Sequence, residues 1–183
     1  GYGRVSANYT AYIGKWTHVA LVSAGKNGYY KAIYINGVLA ASSTTYSDGA
    51  STLGITGLTI GTWNGTNNHH GEVDEFRIWN KVRTQAEIQA DMNSVLTGSE
   101  SGLIGYWSFD EGSGTTVADK TAGNATGTLT QGTAAALPAW QTSGWAEPTY
   151  SWSPATGLNV TTGATVTASP TATTTYTVTA SFP

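Results

Sequence analysis

The chain has 183 residues, a formal net charge of −3 and only 10% charged side chains, against roughly a quarter in ordinary globular domains. It contains no Cys, which excludes a disulfide framework, thiolate zinc sites and thiol catalysis. There is no basic surplus of the kind that binds nucleic acid, and no apolar run near the roughly 18 residues that cross a bilayer.

The 31 Thr and 23 Gly stand beside 7 Trp and 10 Tyr. β-Branched and aromatic side chains fit a pleated, half-buried surface, so the composition predicts β-structure. A Cys-free, Thr/Gly-rich chain fits an extracellular protein, secreted or attached to a cell surface. Gly1 is not a Met and Pro183 falls within a repetitive pattern, so the chain reads as a piece of a longer polypeptide.

In chain order, Trp16 to Val22 reads as a strand with two largely apolar faces, as in the interior of a sandwich. Tyr29 to Ile35 is a second strand. It runs into Asn36-Gly37, a strong hairpin signal because both central residues of a type I′ turn need positive φ, and Val38 to Ala41 returns. Leu58 to Ile60 reads as a short strand and Val73 to Trp79 as a longer one. Thr84-Gln85-Ala86-Glu87 is a capping box, followed at helical spacing by Ile88, Met92 and Val95. The spacing predicts a helix of roughly ten residues ending near Gly98.

Leu103, Gly105, Trp107 and Phe109 alternate along a further strand, and a short strand is expected near Thr126 to Leu129. From Pro148 to Pro183 no side chain is charged. Tyr150 to Trp152 and Thr174 to Val178 read as strands in this tail. The composition shift places a domain boundary at about Ala146 to Pro148, giving domains 1–146 and 147–183.

Trp16-Thr-His-Val-Ala-Leu-Val22, Tyr34-Ile-Asn-Gly-Val-Leu39 and Gly71-Glu-Val-Asp-Glu-Phe-Arg-Ile-Trp-Asn80 resemble successive strands of the laminin-G-like, pentraxin-like jelly roll. That resemblance implies an all-β, concanavalin A-like sandwich with one short helix. It also implies further residues before Gly1 in a complete domain. Residues 102–129 are similar to the closing segment of such domains in large secreted adhesins of Bacteroidetes-type bacteria. The tail resembles the start of an Ig-like or PKD-like repeat.

Three chemistries are open at 62–75. The first is glycoside hydrolysis. β-Glucanases of this architecture carry Glu-x-Asp-x-Glu on one strand face, and a carboxylate pair does the work. Here Glu72 and Asp74 share a face of a regular strand, position 76 is Phe, and Glu75 faces away, so catalytic residues are not assigned.

The second is calcium at Glu72 and Asp74, which the resemblance to pentraxins implies and which needs six to eight oxygen ligands. The third is glycan recognition by Trp63, Asn64, Asn67, Asn68, His69 and His70. An aromatic face stacks on sugar C–H groups, while amides and imidazoles serve the hydroxyls. His18 reads as a structural, hydrogen-bonded histidine.

The sequence thus predicts a non-catalytic carbohydrate- or surface-binding module of an extracellular adhesin. Its expected partners are a glycan or cell-surface polymer and neighbouring domains of the same polypeptide. The alternative is a structural spacer that assembles into homo-oligomers by β-strand exchange through the Thr-rich edge at 171–182.

Overall fold

Turn chemistry and strand periodicity lay out most of the elements found. The structure, a computed structural model, describes residues 5–24, 30–44, 57–63, 67–130, 137–141 and 149–181, with the backbone alone at 62–63 and 67–68. Among these residues the fold is all-β with one short α-helix. The chain divides into two units, Gly1–Trp145 and Ala146–Pro183.

In the first unit, β1 (Val19–Ser23), β2 (Lys31–Ile35) and β3 (Val38–Ser43) form an antiparallel sheet in that order. The β2–β3 turn has φ of 49° at Asn36 and 72° at Gly37, as the Asn-Gly pair predicts. Asn36 also ties the turn to the chain entering β1. Its amide donates to the His18 carbonyl at 2.9 Å, and its Oδ1 accepts from the His18 amide at 2.9 Å.

Helix α1 (Gln85–Asp91) packs on one face of this sheet. Ile88 joins Val22, Ala32 and Tyr34 in the buried cluster, with Ala20 and Tyr30 at its margin. Gln89 Nε2 donates to the Gly37 carbonyl at 3.0 Å. A Cβ on Gly37 would come within 2.7 Å of Gln89 Cγ, so that turn needs glycine for closeness as well as for φ. The opposite face of the sheet stays open at β1, where Leu21 is 77% exposed. Among the described residues β1 is an outer strand of the sheet, whereas its composition predicts an interior one. Apolar character alone does not fix burial.

The capping box is present: Thr84 Oγ1 accepts from the Glu87 amide, and Glu87 Oε2 accepts from the Thr84 amide at 2.8 Å. The Thr84 amide and hydroxyl, with Lys81, hold the Glu87 carboxyl down at about 2. The helix is shorter than its apolar spacing predicts. It ends at a Met92 C-cap, and Val95 lies beyond it and exposed. The Arg77 guanidinium accounts for the early exit, since it donates to the carbonyls of Asp91 and Ser94.

Gly98 does not end the helix. It has φ of +86°, and a Cβ there would run into the Lys120 carbonyl. Gly98→Ala is expected to lose more than about 1 kcal/mol of stability, because both the left-handed backbone and the contact oppose a side chain. A denaturant titration of the variant checks this.

Leu58 to Ile60 is not a strand; both Leu58 and Ile60 are exposed. The pairing falls instead to β4 (Thr62–Trp63) and β5 (Asn67–Asn68), with Thr62 opposite Asn68 and Trp63 opposite Asn67. β6 (Phe76–Trp79) pairs antiparallel with β7 (Leu103–Trp107). β6 starts three residues later than the expected Val73 because Glu75 takes φ of +54°, which ends regular alternation.

In and after β7 the most buried side chains are Tyr106 and Ser108, at 1% and 2% exposure, rather than the alternating set ending at Phe109. Phe109 has φ of +57° and turns the chain out of the strand. β8 (Thr116–Val117) pairs with β9 (Gly127–Thr128), inside the expected strand near Thr126 to Leu129. Trp140 Nε1 donates to the Gly114 carbonyl at 2.8 Å; Trp145 lies outside the described residues.

The buried Asp119 organises this end of the unit. Its Oδ1 accepts from the Tyr106 amide at 3.0 Å and from the Thr121 amide and hydroxyl at 2.9 and 2.8 Å. Its Oδ2 accepts from the Ala125 amide at 3.0 Å.

In the second unit β10 (Thr149–Ser153) pairs antiparallel with β11 (Thr177–Ser181). The first strand matches Tyr150 to Trp152. The second sits three residues beyond the expected Thr174 start, and just before it the Tyr176 hydroxyl donates back to the Thr156 carbonyl at 2.7 Å. Among the described residues no helix is long and apolar enough to cross a membrane.

Candidate functional site

The candidate site grows from the β4–β5 hairpin. Gly61, at φ of +88°, brings the chain into β4. The two-residue ladder then sets Trp63 across from Asn67 and Thr62 across from Asn68. The His69 amide donates to the Gly61 carbonyl at 2.6 Å, which closes the base of the hairpin. His69, His70, Gly71 and Glu72 follow on the surface. The His69 ring lies against Gly71, where a Cβ would come within 2.8 Å of Nε2. Of the expected glycan ligands, Trp63, Asn67, Asn68, His69 and His70 thus belong to one local hairpin and its exit. Asn64 lies outside the described residues.

The carboxylates after the hairpin do not follow the regular-strand arrangement. Residues 72–75 are not in a strand, so the expected sharing of one face by Glu72 and Asp74 through strand pleating does not apply. Asp74 Oδ1 accepts from the Glu75 amide at 2.9 Å. Glu75 turns to the interior, where both its oxygens lie 2.9 Å from the Tyr106 hydroxyl and it pairs with Arg77. Burial, followed by that hydrogen bond and the Glu75 charge, pushes the Tyr106 phenol up to about 12.

Calcium takes six to eight oxygens. Among the described residues no group of three or more His, Asp or Glu side chains is placed to hold a metal ion. Two carboxylates, Glu72 and Asp74, fall short of that requirement on their own.

His18 differs from its expected state. Its backbone is hydrogen-bonded through Asn36. Its Nδ1, however, is buried without a hydrogen-bond partner. Burial, and then the nearby Arg77 charge, holds its pKa below the ordinary histidine value, so the ring is neutral at pH 7.

One concavity had no counterpart in the sequence patterns. It has a volume of about 140 Å³ and is lined by Val95, Leu96, Tyr106, Ser108, Asp110 and Lys120, among others. Its walls come from three separate stretches of chain, so no motif announces it. The one local signal is the left-handed Phe109 between Ser108 and Asp110.

Residues 2–89, just under half of the chain, match the profile of a family described as the concanavalin A-like lectin/glucanases superfamily. That stretch contains the whole β1–β3 sheet and the β4–β5 hairpin. Among solved structures, the chain is similar to a "putative carbohydrate binding protein" from Bacteroides ovatus, at 26% identity and a TM-score of 0.42. The similarity covers 69% of this chain and 38% of that one. No curated protein matches the chain.

Proposed function

We propose that this chain is a non-catalytic carbohydrate-binding module of an extracellular adhesin, and that the β4–β5 hairpin and its exit carry the ligand. The observation that carries this reading is the placement of one aromatic, two amides and two exposed imidazoles on a single hairpin within the lectin/glucanase-matched segment. Such a set serves both sides of a sugar: an aromatic for the C–H face, and fixed polar groups for the hydroxyls. Loops on a rigid scaffold are where binding commonly resides.

Most of the described acidic side chains are tied into local structure. Asp74, Glu75, Glu87, Asp91, Glu100, Glu111 and Asp119 all hold local structure through hydrogen bonds or ion pairs. A glycosidase places a pair of carboxyl groups on either side of the scissile bond, whereas these seven are spread over separate structural contacts.

Trp63→Ala is expected to weaken binding to an immobilised glycan panel by at least tenfold while leaving the melting temperature within a few degrees. Purified protein is expected to release no reducing sugar from laminarin or mixed-linkage glucan. Absence of binding to every glycan, or turnover abolished in Glu72→Gln, overturns the proposal.

A second reading, a spacer assembling by strand exchange, is favoured by β11. Among the described residues β11 pairs on one side only, with β10, and all five of its residues are exposed. A free edge of small and β-branched residues suits strand addition. Concentration-dependent oligomers that vanish on deletion of residues 148–183 would favour it.

A further inference from the structure

We propose that the 140 Å³ concavity beside Tyr106 and Ser108 holds one pyranose ring of a saccharide, as a binding site additional to the hairpin; this rests on the carbohydrate-binding reading above. The size sets the class of occupant. An engineered protein cavity of roughly 150 Å³ encloses benzene; a pyranose with its hydroxyls is larger, so an open concavity of about 140 Å³ takes one sugar ring in part, with its outer hydroxyls left in solvent. The concavity is well below the roughly 300–1,000 Å³ of sites for drug-sized ligands.

The lining sets the chemistry. Val95, Leu96 and the Tyr106 ring supply apolar wall, which a sugar meets with its C–H groups. The Tyr106 hydroxyl is already committed to Glu75, so that residue contributes its ring. Three polar groups remain uncommitted. Ser108 is 2% exposed, and its Oγ is buried without any hydrogen-bond partner. An unsatisfied buried hydroxyl costs about 1–3 kcal/mol, which favours a side-chain rotation of Ser108 that turns Oγ into the concavity, where a ligand hydroxyl can meet it. Asp110 and Lys120 line the same space, and neither side chain makes an ion pair or hydrogen bond among the described residues.

A carboxylate accepts from ring hydroxyls and an ammonium donates to a ring or hydroxyl oxygen. One charge of each sign in so small a space favours a neutral polyhydroxylated ring over a lone anion or cation. The backbone agrees: Phe109, between Ser108 and Asp110, has φ of +57°. A bulky residue held in that region is uncommon, and such strain concentrates at ligand sites.

The test uses the full chain with glucose, galactose, mannose and N-acetylglucosamine as probes, read by saturation-transfer and amide-shift NMR titration, together with the glycan panel. The expected result is millimolar or tighter binding of at least one monosaccharide. Its shift changes should centre on Leu96, Thr97 and Ser108, and Asp110→Asn and Lys120→Ala should each weaken it at least tenfold. Neither side chain supports the fold, so both variants should melt as the parent does.

Saccharide binding, whether of monosaccharides or only of polymers, that is unchanged in both variants overturns the inference. If it is lost in the His69→Ala/His70→Ala variant, the carbohydrate-binding reading survives with the hairpin as its site. If the parent chain binds no monosaccharide and no polymer, both readings fall.

Discussion

Asp119→Ala is expected to lower the stability of the first unit by about 3–5 kcal/mol, among the largest losses a point substitution gives. The reason is the number of donors one side chain serves. Three backbone amides and the Thr121 hydroxyl lie within 3.0 Å of its two oxygens. Removing the carboxylate orphans all of them at a buried position where β7, the 119–121 turn and the approach to β9 meet. Urea unfolding followed by Trp fluorescence measures the loss. A loss below about 1 kcal/mol, the net worth of a single hydrogen bond, would mean that water replaces the carboxylate there.

The same group gives the first unit an acid limit. Burial pushes the Asp119 carboxyl up, but its donors outweigh burial and hold it below the ordinary carboxylate value. Glu100 is lowered in the same way, burial being outweighed by the Thr97 and Gly98 groups, and Glu87 is held at about 2. Each binds a proton more readily unfolded than folded. Their stabilisation is therefore complete above the ordinary carboxylate range and drains away as pH falls through the lowered folded values. Melting temperature should fall from about pH 4 towards about pH 2, and less steeply in Asp119→Asn.

Arg77→Met is expected to destabilise by about 3 kcal/mol. The guanidinium pairs with Glu75, donates to the carbonyls of Asp91 and Ser94, and lies 5.4 Å from the Tyr106 ring centre. It joins β6 to the exit of α1. Both members of the ion pair are mostly buried, so Met at 77 strands the Glu75 charge. Adding Glu75→Gln to that variant should restore part of the loss, because it removes the stranded charge. A double-mutant cycle by denaturant unfolding reads this coupling, and additive losses would show that the two side chains act independently.

Local chemistry made much of this fold legible. Asn36-Gly37 dictates its turn through two positive φ values, and Thr84 with Glu87 dictates a helix start through reciprocal hydrogen bonds. Both signals act over four residues, so neighbours in sequence suffice. The failures share a different cause. The helix ends early because Arg77, from β6, takes the Asp91 and Ser94 carbonyls.

β6 begins late because Glu75 adopts a left-handed backbone while its carboxylate meets Tyr106 and Arg77. Leu58 to Ile60 has strand-like composition but no partner strand among the described residues, so propensity there goes unused. At the candidate site, the hairpin residues were legible because they are contiguous. Ser108, Asp110 and Lys120 were not, since only the folded chain brings Lys120 and the 95–97 segment to the end of β7.

Among the described residues of the second unit, 149–181, no side chain is buried. The five-pair ladder of β10 and β11 is supplemented by Trp152 Nε1 on the Gly163 carbonyl and Tyr176 on Thr156. This stretch also lacks Lys, Arg, Asp, Glu and His. Trypsin has no cleavage point anywhere in it, and ionic strength has no side-chain charges to screen. Acid that disarms the carboxylates of the first unit leaves these pairings chemically unchanged, so the two units should part company in a pH titration watched by hydrogen exchange.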